Sequence, residues 1–184
     1  MINQSPTITG KHIILRAPRE TDIEERLKIG WSAEYVHMCG GDTRNLAPLT
    51  REDVLRWYEF ITSNRFEWVI ELEGRCIGTA RLSVFSQDYR ARYAIGIHDT
   101  TKYNQGYGAE VTELILDFAF STLHLHRVDL RVLEYNQRAI ACYEKCGFVR
   151  EGIEREGALI EDKWETDVMM SILEQDYKNR KQNP

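Results

Sequence analysis

Between residues 92 and 119, an alternating apolar segment passes through a turn with two glycines into an amphipathic helix. In RYAIGIH, residues 92–98, large apolar residues alternate with small or polar ones, as in a strand with two different faces. The turn TKYNQGYG, residues 101–108, follows, and the apolar residues after it share one side of a helix: Val111, Leu114, Ile115, Phe118 and Ala119. A strand, a short turn and a helix in this order predict an α/β fold.

The first half of the chain predicts a strand, two helices and a hairpin. His12–Arg16 is an apolar strand, and helices are expected after caps at Thr21 and Thr50, because acidic residues occupy the turn that follows each. The segment EWVIELEGRCIGTARL places two β-rich runs around Glu73 and Gly74, which indicates a hairpin.

The second half predicts further strands and a second capped helix. HRVDLRVLE alternates as a strand, Asn136 is expected to cap the next helix, and two strands are expected near Phe148–Arg155 and Trp164–Leu173. The whole order is a strand, two helices, three strands, a helix, a strand, a helix and two strands. It predicts one mixed α/β domain over residues 1–184.

Composition excludes several classes of protein. The chain has 184 residues and 42% apolar content, enough for one core, and its formal net charge of -5 does not suit non-specific binding to nucleic acid. MINQSPTITG lacks the basic and apolar regions of an export signal, and no apolar run approaches the ~20 residues of a membrane span. The four cysteines include no C-x-x-C pair. We therefore expect a reduced, cytoplasmic protein with no metal site and no membrane partner; a homodimer is compatible with the sequence.

Two glycines, Gly106 and Gly108, bracket Tyr107 in the turn. The start of a helix offers unpaired N–H groups and the positive end of the helix dipole, and glycines let the main chain approach a phosphate. The turn therefore predicts an anion site, while an ordinary tight connection is the structural alternative. The third glycine of the dinucleotide fingerprint and the Lys-Ser or Lys-Thr pair of the P-loop are both missing.

The region resembles the GNAT N-acetyltransferase superfamily, whose signature is Arg or Gln, two residues, Gly, one residue, and Gly or Ala. Gly106 and Gly108 match, while Tyr103 stands where Arg or Gln is usual. HLHRVDLRVLEYNQRAIACYEKCGFVREG resembles the branch that contains ribosomal-protein N-terminal, spermidine and some aminoglycoside acetyltransferases. The shared pattern is Asn, then Tyr-Glu-Lys, then Gly-Phe, from Asn136 to Phe148.

The resemblance implies a mostly antiparallel central sheet flanked by helices, with acetyl-CoA as the acetyl donor. The backbone of residues 105–109 would hold the CoA phosphates, and the strand Gly96–His98 would pair with the pantetheine arm and leave an N–H near the thioester oxygen. A bulge or a close strand contact at Gly96 is the structural alternative. The residues expected at the cofactor are Gly96, Ile97, His98, Tyr103, Asn104, Gln105, Gly106, Tyr107, Gly108, Ala109 and Asn136.

Acetyl transfer to an amine also needs a proton for the departing thiolate and a base for the ammonium. The resemblance implies that the Tyr143 phenol is the acid, with ordinary core packing as the structural alternative. His98 and Glu134 are candidate bases, and a relay of the proton through water to bulk solvent is the third possibility.

Trp31, Tyr35 and His37 lie between the first predicted helix and Thr50, where this family builds acceptor pockets; ordinary packing is the alternative. The resemblance implies direct attack by a primary amine in a ternary complex. The acceptor is a protein N-terminus, a polyamine or another small amine. A CoA-binding sensor or interaction module without turnover is the alternative function, because Tyr103 departs from the signature.

Overall fold

The computed structural model describes residues 5–182, which form eight strands and six α-helices. The strands are Ile8–Thr9 (β1), Ile13–Arg16 (β2), Glu67–Leu72 (β3), Arg75–Phe85 (β4), Arg90–Ile97 (β5), Arg127–Leu133 (β6), Val149–Ile160 (β7) and Lys163–Leu173 (β8). The helices are Thr21–Ile29 (α1), Ala33–Met38 (α2), Arg51–Ser63 (α3), Tyr107–Asp117 (α4), Gln137–Lys145 (α5) and Glu174–Gln182 (α6). Within residues 5–182, no helix combines the length and the apolar composition that a membrane span requires.

The strands hydrogen-bond in the order β1-β2-β3-β4-β5-β6-β8-β7. Most neighbours are antiparallel, whereas β5 and β6 are parallel and pair through Arg90–Arg92 and Arg127–Asp129. The predicted fold class, a mixed and mostly antiparallel sheet flanked by helices, is confirmed.

Contacts within the chain define two compact units. The first contains the chain up to Arg81 together with Ile95–Val111, and the second contains Leu82–Ala94 together with the chain from Thr112 onward. The single domain expected over residues 1–184 stays a prediction.

In the first unit, a buried ionic network joins β2, α1 and β3. Arg16 is 3% exposed, and its Nη1 and Nη2 donate to the two carboxylate oxygens of Asp22 at 2.8 and 2.7 Å. Its Nε donates to Glu71. Burial opposes the positive charge, but these hydrogen bonds outweigh it and raise the pKa of Arg16. The network thus satisfies the requirement that a buried charge be paired.

In the second unit, three arginines surround one buried carboxylate on β6. Asp129 is buried, and its Oδ1 accepts a hydrogen bond from Arg92 Nε at 2.8 Å. Arg90 Nη1 lies 3.4 Å and Arg127 Nε 3.7 Å from its Oδ2. Because Arg90 and Arg92 are on β5, these ion pairs reinforce the parallel pairing of β5 with β6.

Two predicted helix caps are confirmed. The Thr50 hydroxyl accepts from Asp53 N at 3.2 Å while the Asp53 carboxylate accepts from Thr50 N at 3.0 Å, which makes a capping box. Asn136 Oδ1 accepts from Ala139 N at 3.1 Å and so caps α5. Both caps follow from local sequence, because the donor is only three residues away.

The predicted cap at Thr21 is wrong. Thr21 is the first helical residue, and Glu20, which precedes it, makes no side-chain cap bond. Asp22 instead accepts from Arg19 N at 2.7 Å. The same carboxylate accepts from Arg16, so Asp22 is fixed beside the helix start without capping a helical N–H group.

Three short or polar elements were not predicted: β1, α2 and α6. Of these, α2 has six residues and begins after Ser32, whose hydroxyl accepts from Tyr35 N at 3.4 Å. The predicted hairpin is confirmed, with Glu73 and Gly74 at φ 51° and 79° between β3 and β4. The last two strands are confirmed, but β7 extends to Ile160, five residues beyond the predicted end.

Glu67, at the start of β3, should make stability depend on pH. It is 4% exposed, its Oε2 has no hydrogen-bond partner among residues 5–182, and Arg81 Nε lies 3.9 Å from that oxygen. Burial raises the pKa of Glu67 to about 7, although Arg81 opposes the shift. The protonated form is therefore favoured by folding, and this stabilisation is complete below the carboxyl pKa of the unfolded chain and is lost as pH rises toward 7.

Glu67→Gln should leave stability near pH 4 almost unchanged and raise it at pH 8 by on the order of 2–3 kcal/mol. Urea unfolding at both pH values measures the difference, and the exposed Glu59→Gln is the control for loss of one negative charge. Equal stability of Glu67→Gln and wild type at pH 8 would contradict the prediction.

Candidate active site

The glycine turn, residues 101–108, follows β5 and is held by its own side chains. Asp99 Oδ1 accepts from Thr101 N at 3.1 Å and from Thr101 Oγ1 at 2.6 Å. Tyr103 Oη donates to the Ile97 carbonyl at 3.1 Å. Tyr103, the residue that departs from the family signature, therefore ties the turn to the end of β5.

Two residues of the turn have left-handed backbones. Asn104 has φ 60° and Gly106 has φ 86°. A Cβ at Gly106 would meet no other atom within 4 Å, so the demand for glycine here comes from the backbone conformation. Helix α4 begins immediately afterwards, at Tyr107. The turn thus directs the positive end of a helix dipole toward the space in front of Gly106.

Glu110, in the first turn of α4, fixes the helix start to β2. Its Oε1 accepts from the backbone N–H groups of His12 and Ile13 at 2.7 and 3.0 Å, and its Oε2 lies 2.9 Å from His12 Nδ1. Burial opposes ionisation, but these hydrogen bonds outweigh it and lower the pKa of Glu110. An ionised carboxylate at this position also complements the helix dipole.

Strand β4 approaches the end of β5 very closely. A Cβ on Gly78 would lie 2.2 Å from the Gly96 carbonyl oxygen and 2.9 Å from Ile97 Cα. The backbone N–H of His98 donates to the Ile77 carbonyl at 2.8 Å. Only a residue without a side chain fits at position 78, because both obstructing atoms belong to the main chain.

Aromatic side chains cover the other side of Gly96. A Cβ there would lie 2.8 Å from Tyr35 Oη. The Tyr35 ring stacks on Trp31, with centroids 6.3 Å apart, and meets His98 edge-on at 5.1 Å. Trp57, on α3, also meets His98 edge-on, at 6.0 Å. Trp31, Tyr35, Trp57 and His98 are called the aromatic cluster below.

His98 lies within this cluster and is uncharged at neutral pH. It is 4% exposed, and its Nδ1 has no hydrogen-bond partner within the part of the chain that the structure describes. Burial, assisted by the charge of Arg26, lowers the pKa of His98 to about 3. Burial also raises the pKa of the Tyr35 phenol. Both polar rings therefore stay neutral and can exchange hydrogen bonds with a bound molecule.

Tyr143 and Asn136 belong to the second unit. Tyr143, on α5, is 9% exposed, and its ring centroid lies 6.3 Å from that of Tyr93 and 5.8 Å from that of Phe148. Tyr93 is more deeply buried, and its hydroxyl pairs with Thr112 Oγ1 at 3.1 Å. Tyr143 therefore packs in an aromatic core, and its assignment as the acid stays a prediction.

The structure brings together part of the predicted acceptor set. Trp31 and Tyr35 are in contact, whereas His37 lies two residues after Tyr35 on α2, a spacing that directs side chains to different parts of a helix surface. Sequence reasoning missed the roles of Arg26 and Trp57. Arg26 occupies a core-facing position of α1, three residues after the buried Ile23. A charged residue at such a position was the sequence signal that could have indicated its role.

The fold of the described residues is similar to that of acetyltransferases of known structure. The family model described as "Acetyltransferase (GNAT) domain" matches residues 12–149. The chain therefore belongs to the GNAT acetyltransferase family and is an acyltransferase, as the sequence predicted.

Several relatives have names that specify a reaction. "Probable N-acetyltransferase YjcK" from Bacillus subtilis (strain 168) is 28% identical over 177 residues, which is 92% of this chain and 98% of the relative. A spermidine N(1)-acetyltransferase from Vibrio cholerae is 36% identical over 76 residues, which is 41% of this chain and 44% of the relative. The crystal structure of a spermidine N-acetyltransferase from Vibrio cholerae in complex with CoA and spermine has TM-score 0.75 at 23% identity, over 91% of this chain and 99% of that one.

Gly78→Ala tests the close approach of β4 to β5. The added methyl group must displace main chain, so we expect a loss of about 1–3 kcal/mol or more in the free energy of unfolding, measured in urea. Gly152→Ala, where an added Cβ meets no atom within 4 Å, is the control and should change stability far less. Equal stability of the two variants would show that β4 and β5 can separate without cost.

Proposed function

We propose that the chain transfers an acetyl group from acetyl-CoA to a primary amine by direct attack in a ternary complex. The observation that carries this proposal is the path of β5 into the glycine turn and α4, inside the segment that matches the acetyltransferase domain. In the reaction, the amine nitrogen bonds to the acetyl carbon, the carbon–sulfur bond breaks, and the thiolate takes a proton. Acetyl-CoA supplies the activated acetyl group.

The residues present fit a CoA phosphate at the glycine turn. The left-handed Gly106 lets the backbone approach an anion without a side chain, and the N-terminus of α4 favours negative charge. Tyr103 replaces the Arg or Gln of the signature but is engaged with Ile97, so the turn keeps its shape without the usual side chain. These features support residues 103–109 as the cofactor-binding segment.

The small-faced end of β5 supports a second cofactor contact. A side chain at Gly96 would collide with the Tyr35 hydroxyl, so packing against Tyr35 requires a residue without a Cβ at this position. In the proposed role, main-chain groups of residues 96–98 pair with the extended pantetheine arm. The His98 N–H already donates to Ile77 and the Ile97 carbonyl already accepts from Tyr103, so the N–H of Ile97 is the proposed donor to the cofactor.

Tyr143 is the proposed acid, and its hydroxyl would protonate the departing thiolate. Asn136, which caps α5 about two turns before Tyr143, supports the position of this helix and is a proposed cofactor contact. His98 is a weak candidate for the base, because a pKa of about 3 gives it little affinity for the ammonium proton. The relay of that proton through water, or through Glu134, fits the burial of His98 better.

Relatives named as spermidine acetyltransferases make a small amine the favoured acceptor class over a protein N-terminus. Membership of the branch that includes ribosomal-protein acetyltransferases stays a prediction. The alternative function, a CoA-binding module without turnover, is tested by combining calorimetry of acetyl-CoA with an assay of released thiol in the presence of amines. Binding without amine-dependent thiol release would favour the module.

Gly106→Ala tests the phosphate site. The left-handed backbone adds a cost of about 1–2 kcal/mol to folding, and the methyl group should weaken acetyl-CoA binding about 10-fold or more, by loss of a hydrogen bond to a charged group. Gly74→Ala is a matched control, because its φ is 79° and an added Cβ again meets nothing within 4 Å. If calorimetry gives both variants the wild-type affinity, the phosphates bind elsewhere.

Tyr143→Phe tests the acid. Removing the hydroxyl should lower turnover at saturating acetyl-CoA and amine by about 10²–10⁴-fold, the usual contribution of general acid catalysis, while the melting temperature changes little. Tyr93→Phe is the control, since it removes a hydroxyl from the neighbouring ring and should cost about 0.5–1.5 kcal/mol of stability without slowing turnover. A fully active Tyr143→Phe variant rejects the acid role.

A further inference from the structure

Two arginines of the first unit are equally buried but have different partners. Arg16 and Arg26 are each 3% exposed. Arg16 lies against two carboxylates, whereas Arg26 Nη1 donates to the Gly30 carbonyl at 2.6 Å, and its guanidinium carbon lies 4.7 Å from the centroid of the Trp31 ring. Within residues 5–182, Arg26 has no carboxylate at ion-pair distance.

The nearest acidic residue on the same helix cannot supply the missing charge. Asp22 lies one turn before Arg26, but Arg16 donates to both of its oxygens, at 2.8 and 2.7 Å. Burial accordingly lowers the pKa of Arg26, although a guanidinium remains protonated at any physiological pH. An unpaired buried charge is costly, so its presence calls for a compensating anion.

Arg26 faces the aromatic cluster. Its guanidinium lies over Trp31, which is 39% exposed, so the cluster reaches the surface there. Deeper in the cluster, the buried Nδ1 of His98 has no hydrogen-bond partner among the described residues, and the His98 ring centroid lies 5.1 Å from that of Tyr35. Among the described contacts of these four side chains there is no carboxylate. The cluster therefore offers one cation, neutral polar rings and apolar ring faces.

We infer, on the basis of the proposed function, that the acceptor is a primary amine that also carries a carboxylate, and that Arg26 binds this carboxylate. The planar guanidinium can donate two parallel hydrogen bonds to a carboxylate, which would supply the absent counter-ion. The faces of Trp31 and Tyr35 suit the apolar part of such a molecule. His98 Nδ1 is available to the same ligand.

A polyamine fits this cluster poorly. Each of its amines is protonated at neutral pH, and a second cation beside a buried guanidinium is repelled strongly where water is scarce. Recognition of a polycation calls for carboxylates along its path, whereas the described groups that meet here are a cation and neutral rings. The substrate named for the spermidine acetyltransferase relatives is therefore not the one that this cluster selects.

The first test compares acceptors that differ only in the carboxylate. Release of CoA thiol is measured with the standard amino acids, each beside its methyl ester, and with spermidine. We expect the free acid of at least one pair to have a KM about 10–100-fold lower than its ester, which corresponds to one charge-assisted pair. Esters have the less basic amine, so a preference for the acid cannot come from easier deprotonation.

The second test uses Arg26→Met, which keeps an unbranched apolar stem and removes the charge. Its KM for the preferred free acid should rise about 10–100-fold, while the KM values for the ester and for acetyl-CoA stay at wild-type levels. Arg26→Lys keeps the charge but loses the planar guanidinium, so its KM for the preferred free acid should lie between those of wild type and Arg26→Met. It replaces Arg26→Met in this test if that variant does not fold.

Stability separates a ligand-binding arginine from a structural one. If Arg26 serves to bind the carboxylate of the acceptor, Arg26→Met should have a melting temperature no lower than that of wild type, because the substitution removes a buried charge that has no carboxylate partner. Arg16→Met is the matched control and should melt lower, because it leaves the buried Asp22 without its cation and Glu71 with only the exposed Arg19. A clear loss of melting temperature in Arg26→Met, together with an unchanged KM for acids, would assign Arg26 to packing and overturn the inference.

A binding measurement keeps this inference separate from the proposed function. Titration with 3-phenylpropionate, which has the carboxylate but no amine, should change the tryptophan fluorescence of wild type and not of Arg26→Met, while 3-phenylpropanamide changes neither. Absence of any amine-dependent acetylation would reject the proposed function. The titration with 3-phenylpropionate would then still decide whether Arg26 binds a carboxylate. Acetylation of spermidine in preference to every free acid, or equal binding of the acid and the amide, would overturn the inference.

Discussion

The close approach of β4 to β5 at Gly78 is the constraint on which the rest of the first unit's site depends. With no side chain at position 78, the Gly96 carbonyl can lie where a Cβ would otherwise be, and His98 N can reach the Ile77 carbonyl. The end of β5 is therefore fixed by main-chain contacts rather than by adjustable side chains. The fixed strand end determines where three groups lie: the Ile97 carbonyl, the imidazole of His98 and the glycine turn.

The same strand end explains how the chain accommodates its departure from the family signature. Tyr103 cannot make the contact of an Arg or Gln, but its hydroxyl bonds the Ile97 carbonyl, and Glu110 bonds two backbone N–H groups at the start of β2. The turn is thus held from both ends, by β5 and by β2. Its left-handed residues, Asn104 and Gly106, are stabilised by these anchors, which offset the conformational cost of the turn.

The parts of the fold and site that the sequence predicted are those determined by neighbours along the chain. The capping box at Thr50, the cap at Asn136, the hairpin at Gly74 and the turn at Gly106 each depend on residues within about four positions. Thr21 is not a cap, because it is itself the first helical residue, and the buried ion pair of Asp22 with Arg16 at this helix start is a tertiary contact without a local signal.

The aromatic cluster could be predicted only in part, because it is assembled from segments far apart in sequence. Trp31 and Tyr35 come from one segment, but Trp57 lies on α3 and His98 at the end of β5. The local sequence around Trp57 and His98 does not indicate that their rings meet in this cluster. Arg26 shows this limit most clearly. Its position in the helix predicts that it is buried, but only the structure shows that Asp22 is paired with Arg16 and that Arg26 has no counter-ion among residues 5–182. In the proposed function the local turn, which the family shares, binds the acetyl donor. The long-range cluster is the proposed determinant of the charge that an acceptor meets, and for that reason family resemblance predicts the reaction of this chain better than it predicts the amine.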